Sequence, residues 1–148
     1  MKIIAKNKKA SYNYFLSDTF EAGIVLKGTE IKSVREGKIS IGDSYCIIRN
    51  EQIYIVNMHI SKYKHGNQFN HDETRSRKLL LRKRQIIKLN NKITQDDQTI
   101  VPTKVYIEKG LCKVEIALAK GKKNYDKRQS LKEKDAKRNI AKSLKERY

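Results

Sequence analysis

The thirty residues at positions 119–148 have too little apolar surface to build a core, so folding is left to what precedes them. They carry twelve Lys or Arg against four Asp or Glu. Their large apolar residues are only Tyr125, Leu131, Ile140, Leu144 and Tyr148. Such a segment becomes ordered against a polyanion rather than around itself. Ala136, Ile140, Leu144 and Tyr148 recur every four residues, a narrow stripe that makes a helix marginal alone in water. The remaining residues 1–118 are enough for one core of ordinary domain size.

The formal net charge is +18, with pI near 9.9. Self-repulsion of that size opposes a compact state unless a polyanion relieves it, which makes nucleic acid the leading partner. An anionic membrane surface is the competing partner, but no stretch resembles a transmembrane span or a secretory signal. A cytoplasmic protein is expected. Cys46 and Cys112 lie in apolar strand-like runs and read as buried thiols rather than a disulfide.

Ser11–Leu16 is an aromatic-rich helix candidate preceded by Lys6, Lys8 and Lys9. Phe20–Leu26 reads as a strand. Thr29 can cap a helix that Gly37 ends, with Ile31 and Val34 on one face. Ser44–Arg49 and Gln52–Asn57 flank the two-residue link Asn50-Glu51, a hairpin signal, and His59–Tyr63 extends the second strand. Residues 64–77 are polar and read as a loop. Lys78–Leu81 is a short strand, and Lys83–Lys92 a helix with Ile86, Leu89 and Ile93 at helical spacing. Ile100–Ile107 and Leu111–Leu118 form a second hairpin across Glu108-Lys109-Gly110. Alternation turns Cys112, Val114, Ile116 and Leu118 inward, and Lys113 and Glu115 outward. Five or six short strands interrupted by helices predict a mainly β fold with short helices, an OB-type antiparallel β-barrel followed by the basic tail.

Catalytic constellations are weak. His59, His65 and His71 recur every six residues, and His65 and His71 with Asp72 and Glu73 carry metal-ligand atoms without a paired spacing. Solvated loop residues fit them better. No phosphate-cradling glycine loop, nucleophile–base pair or acidic metal cluster stands out, so neither an enzyme nor a metal or other cofactor is expected. Nucleic-acid features are stronger. Tyr12, Tyr14 and Phe15 interleave with lysines, the mixture that stacks bases and neutralises phosphates, although Phe15 fits a docked helix better. Arg75, Arg77 and Lys78 form a cationic cluster beside the apolar Leu79–Leu81 run, readable as a solvated rim or as RNA contacts.

The strings FEAGIVLKGTEIKSVREGK, DSY, RSRKLLL, CKV and AKGKKNYDKR, in order from Asn7 to Arg128, closely resemble the SsrA-binding protein (small protein B) family of bacteria. The resemblance implies an OB-type barrel over residues 1–118 and a tail over 119–148, mobile when free and helical on the ribosome. It implies binding to the tRNA-like domain of transfer-messenger RNA and its delivery to stalled ribosomes. The tail then probes the empty mRNA channel and decoding centre of 16S rRNA. Elongation factor Tu is implied only indirectly, through the same RNA. The family's RNA-binding positions fall on Asn7, Tyr14, Glu21, Leu80 and Lys113, with Leu80 read as support beneath the RNA face.

In the tail, the resemblance makes Gly121 a flexible junction and places Lys122 and Lys123 at the channel mouth. Asp126-Lys127-Arg128 is then a motif needed after RNA binding, and Tyr125 stands where many relatives have His. Tyr12, Lys62, Glu73 and Ala136 depart from the family pattern. The competing reading is a structural ribosomal or general rRNA-binding OB protein; a metal-dependent nuclease built on His65, His71 and Asp72 is a third.

Overall fold

The computed structural model describes residues 1–64 and 70–123, and 127–129, 131, 132 and 134 in the tail. In chain order the elements are β1 (Lys2–Lys6), α1 (Lys8–Asn13), β2 (Tyr14–Ile24), α2 (Gly28–Arg35), β3 (Ile39–Ser40) and β4 (Tyr45–Arg49). Then follow β5 (Gln52–Val56), β6 (His59–Ile60), β7 (Arg77–Leu80), α3 (Lys83–Gln95), β8 (Thr99–Glu108) and β9 (Leu111–Gly121).

Two hairpins drive the architecture. Asn50 and Glu51 have φ of 52° and 62°, and Lys109 and Gly110 have 51° and 76°. Two successive left-handed residues make the hairpin turn whose twist matches the flanking strands. Because Glu108 already pairs with Leu111, the second turn is one residue shorter than the predicted three-residue link.

Strands β8, β4, β5, β7, β2 and β9 pair in succession, all antiparallel, and the β8–β9 pairing closes them into a ring. One edge of β8 serves two partners, β4 at Ile100 and β1 from Lys104 to Ile107. A register shift between Pro102 and Lys104 falls between these two pairings. Proline has no N–H to give a ladder, so an irregularity belongs at that point.

Alternation sends Ala22, Ile53, Ile55, Leu79, Val114, Ile116 and Leu118 into one core. Each fully buried Ile or Leu contributes about 1.5–3 kcal/mol of transfer free energy. Helix α3 joins it through Ile86 and Leu89, with Ile93 half-buried, as its spacing predicts. A smaller cluster lies around α1, where Ala10 meets Val101 and Ala119 beside Tyr14.

Several elements differ from the sequence reading. The first helix starts at Lys8, because Asn7 Oδ1 accepts from the Ala10 amide at 3.2 Å and caps it there. Tyr14, Phe15 and Leu16 therefore belong to β2, and Phe15 is exposed, with the Lys122 ammonium 4.9 Å from its ring, rather than docked on a core. Lys27, not Thr29, is the N-cap of α2. Asn57, at φ 61°, ends β5, so His59–Ile60 forms a separate strand paired with β3. Strand β9 runs to Gly121, past the boundary expected after residue 118.

Candidate nucleic-acid interface

Strand pairing brings together three residues far apart in sequence. Gly23 on β2 is paired with Leu80 on β7 and with Lys113 on β9. Directly paired residues share a face, so Leu80, Gly23 and Lys113 form one row across three strands. Their neighbours Leu79, Ala22 and Val114 are buried in the core, which fixes this row on the outside. Glu21 sits two residues back along β2, and its Oε1 accepts from Lys113 Nζ at 2.7 Å. Glycine at position 23 leaves space that a side chain would take: an added Cβ would lie 3.3 Å from Leu80 Cβ.

Leu80 is 52% exposed, so it stands on this face rather than beneath it as expected from its apolar side chain. Lys113 points outward as alternation requires, but its charge is not free. Glu108 Oε2 lies 4.0 Å away on the side opposite the Glu21 bond. The hydrogen bond from Lys113, then one from Tyr106, holds the Glu21 carboxyl below its ordinary value, and the Glu21 bond raises Lys113 in turn. Burial, with Glu21 beside it, pushes the Tyr106 phenol up. At neutral pH the row therefore presents an ionised pair next to an exposed leucine. Tyr106 and Glu108 were not singled out in the sequence; the signal available was the register that pairs Tyr106 with Lys113.

The RSRK cluster divides by depth. Arg77 and Glu30 are both 0% exposed and joined through Nε and Oε2. Arg77 also donates to the carbonyls of Met58 at 2.6 Å, Glu73 at 3.2 Å and Asp72 at 3.3 Å. Arg75 Nη2 takes the second Glu30 oxygen at 2.5 Å, and the Lys27 amide donates to the same oxygen at 2.8 Å. Burial pushes the Glu30 carboxyl up, but the Arg75, Lys27 and Arg77 hydrogen bonds outweigh it and leave it lowered. Arg77 is thus an internal tie between α2 and the loop before β7. The solvated or RNA-facing guanidinium expected at this position is corrected, because its donors are spent inside the protein. Lys78 remains half-exposed on β7.

His71 strengthens the same corner and is buried rather than solvated. Its Nε2 lies 2.9 Å from the Ile60 carbonyl and its Nδ1 2.8 Å from Thr29 Oγ1. A carbonyl only accepts, so the ring carries its proton on Nε2 and accepts from the threonine at Nδ1. Both nitrogens are occupied, which leaves no lone pair for a metal. His65 lies outside the described residues, and among those described no three metal-ligating side chains gather.

Asn7 is similarly committed: besides capping α1, its Nδ2 donates to the Pro102 carbonyl at 2.9 Å and to that of Ile41 at 3.3 Å. It positions α1. Tyr14 is half-buried against that helix, beside a cleft of 380 Å³ that Asn7, Lys9 and Tyr45 also line. The tail root is tied to the same region. Gly121 pairs with Tyr14, so it is a strand residue rather than a free junction. The Lys122 amide donates to Asn13 at 2.9 Å, and its Nζ to the Ser11 carbonyl at 2.9 Å. Lys127 and Arg128 have helical backbone, and Lys127 Nζ stands 5.9 Å from the Tyr12 ring centroid. Tyr125, Asp126 and the stripe from Ala136 to Tyr148 lie outside the described residues.

A closed antiparallel sheet in a chain of +18, with a mixed apolar and ionic outer row, defines a small basic β protein of the nucleic-acid-binding class. A sequence model of the SmpB protein family matches residues 4–146, and the chain belongs to that family. The SsrA-binding protein of Shouchella clausii is 56% identical over 146 residues, covering 99% of this chain and 94% of the relative. That of Halothermothrix orenii is 51% identical, covering 99% and 95%. The Staphylococcus aureus protein of the same name is 54% identical, covering 98% and 94%. A solved chain reported under the words "tmRNA-SmpB: a journey to the center of the bacterial ribosome" is 40% identical, with a TM-score of 0.68 over 81% of this chain and 85% of that one.

Proposed function

We propose that this protein binds transfer-messenger RNA and delivers it to stalled ribosomes in trans-translation, acting in the cytoplasm by binding rather than by bond chemistry. Family membership and the likeness to a tmRNA-SmpB chain support this reading. The observation that carries its molecular form is the convergence of Glu21, Leu80 and Lys113 on one outer row. An exposed leucine beside an ion pair suits a folded RNA surface: the leucine packs on sugar or base, and the ionised carboxylate accepts from a base amino group. The tRNA-like domain of the RNA is the partner assigned to this face.

The tail is assigned to the ribosome. Lys127 and Arg128, with Tyr125 and Asp126, would enter the mRNA channel and approach the decoding centre once the barrel has docked, with Lys122 and Lys123 at the channel mouth. Co-purification followed by RNA sequencing tests the whole reading. Enrichment of one tRNA-like RNA is expected; recovery of ribosomal RNA alone would favour a structural ribosomal protein instead.

A further inference from the structure

The row of Glu21, Leu80 and Lys113 leaves a physical question. RNA affinity rests largely on cations that displace counterions from phosphates, yet the one cation in this row is held by two carboxylates. The phosphate-binding charge must lie beside the row rather than in it.

Helix α3 supplies it. Lys83–Gln95 contains Lys83, Arg84, Lys88 and Lys92 and no Asp or Glu. Ile86 and Leu89 are buried, and Lys83, Arg84 and Lys88 are exposed on the outer side, with Ile87 exposed among them. Arg84, Lys88 and Lys92 repeat at i, i+4, a like-charge row that weakens a helix in water. Lys92 is relieved by Asp96 at 3.1 Å, and Lys83 has only a distant, solvated Glu51 at 3.9 Å. Arg84 has no acidic partner within reach among the described residues. A merely solvated helix gains by interleaving acids, and this one has none.

The helix also follows the row. It begins three residues after Leu80, and Lys83 and Leu80 line one groove together with Lys78. One and a half turns later Lys88 Nζ stands 5.9 Å from the ring centroid of Phe20, which packs against the core on the face of β2 opposite Glu21. The cationic side of α3 thus adjoins the row at its Leu80 end.

We infer that the outer side of α3, through Lys83, Arg84 and Lys88, is the phosphate-binding part of the RNA interface and grips the backbone of the same tRNA-like RNA that the sheet row contacts. This inference rests on the function proposed above. The sheet row then supplies fit, and the helix supplies most of the salt-dependent affinity.

The test is a Lys83→Gln/Arg84→Gln/Lys88→Gln variant of the full chain, titrated with the isolated tRNA-like domain across a salt series. Gln matches Lys and Arg in helix propensity, so the thermal midpoint should hold. The plot of log affinity against log salt should become shallower by about 2 to 3, with a loss of about a hundredfold near physiological salt. Should the triple variant fold poorly, Arg84→Gln alone reads one contact, a change of about 0.7–0.9 in slope. Leu80→Ala is run in parallel. If Leu80→Ala weakens binding while the α3 variants leave affinity and slope unchanged, the inference fails and the parent reading stands. If neither change affects the tRNA-like domain, the sheet-face assignment fails as well. Loss of ribosome association with normal binding to this RNA would also overturn the inference, by giving α3 to ribosomal RNA.

Discussion

Two carboxylate–cation clusters in this protein use the same chemistry at opposite depths. Glu30 with Arg77 and Arg75 is enclosed between α2 and the loop before β7, while Glu21 with Lys113 lies on the outer surface of β2 and β9. In the first, Glu30 and Arg77 are fully buried and the Arg77 guanidinium is shared among three backbone carbonyls and a carboxylate. In the second, the pair stays open to a ligand. The lesson is that depth decides the role: the buried cluster shapes the surface, and the exposed one belongs to it.

The largest effect should come from breaking the buried cluster. Glu30→Ala leaves Arg77 charged and enclosed, which typically costs about 3–5 kcal/mol and is read as a lower urea midpoint. A Glu30→Leu/Arg77→Met double variant should recover much of that loss, since a packed apolar pair replaces a desolvated ionic one. The pH dependence has a definite sign. The Glu30 carboxyl is lowered in the folded protein, so its contribution is fully present above the unfolded value of about 4.3 and is lost as pH falls through the lower folded value. The stability gap between the native chain and Glu30→Gln should therefore narrow in acid.

Leu80→Ala sharpens the contrast from the other side. With half its surface exposed, Leu80 contributes little to folding, so thermal stability should barely move. Affinity for the tRNA-like domain should fall by about tenfold, the loss of a central apolar contact.

Smaller again is the electrostatic effect of Lys113→Ala. A free lysine on a phosphate would shift the salt slope by about 0.7–0.9. Because Glu21 already neutralises Lys113, the shift should be clearly less, and Glu21→Ala with Lys113→Ala should be non-additive in RNA affinity. Gly23→Ala should have the mildest effect, displacing Leu80 by a few tenths of an ångström.

Much of the fold was readable because it depends on local rules. The Asn50-Glu51 turn, the alternation in β9 and the apolar spacing of α3 each predict an element that the structure contains. Elements governed by competing hydrogen bonds were less legible. Asn7 outbid the aromatic run for the start of α1, and Thr29 gave its hydroxyl to His71 instead of capping α2. At the candidate site, alternation set the direction of Lys113, but no sequence rule reveals that Glu21 sits against it. The position of Arg77 was illegible for the same reason: RSRK reads as a surface cluster until Glu30 is known to lie beneath it.

The sheet and the tail divide the labour of RNA binding and ribosome engagement, and truncation separates the two. Because β9 is paired through Gly121 and Lys122 is bonded to α1, the cut belongs after Lys123. The shortened chain should bind the tRNA-like domain with affinity close to that of the full chain, yet fail to support tagging of nascent chains on stalled ribosomes. Loss of most of the RNA affinity, or tagging that persists without the tail, would contradict the account.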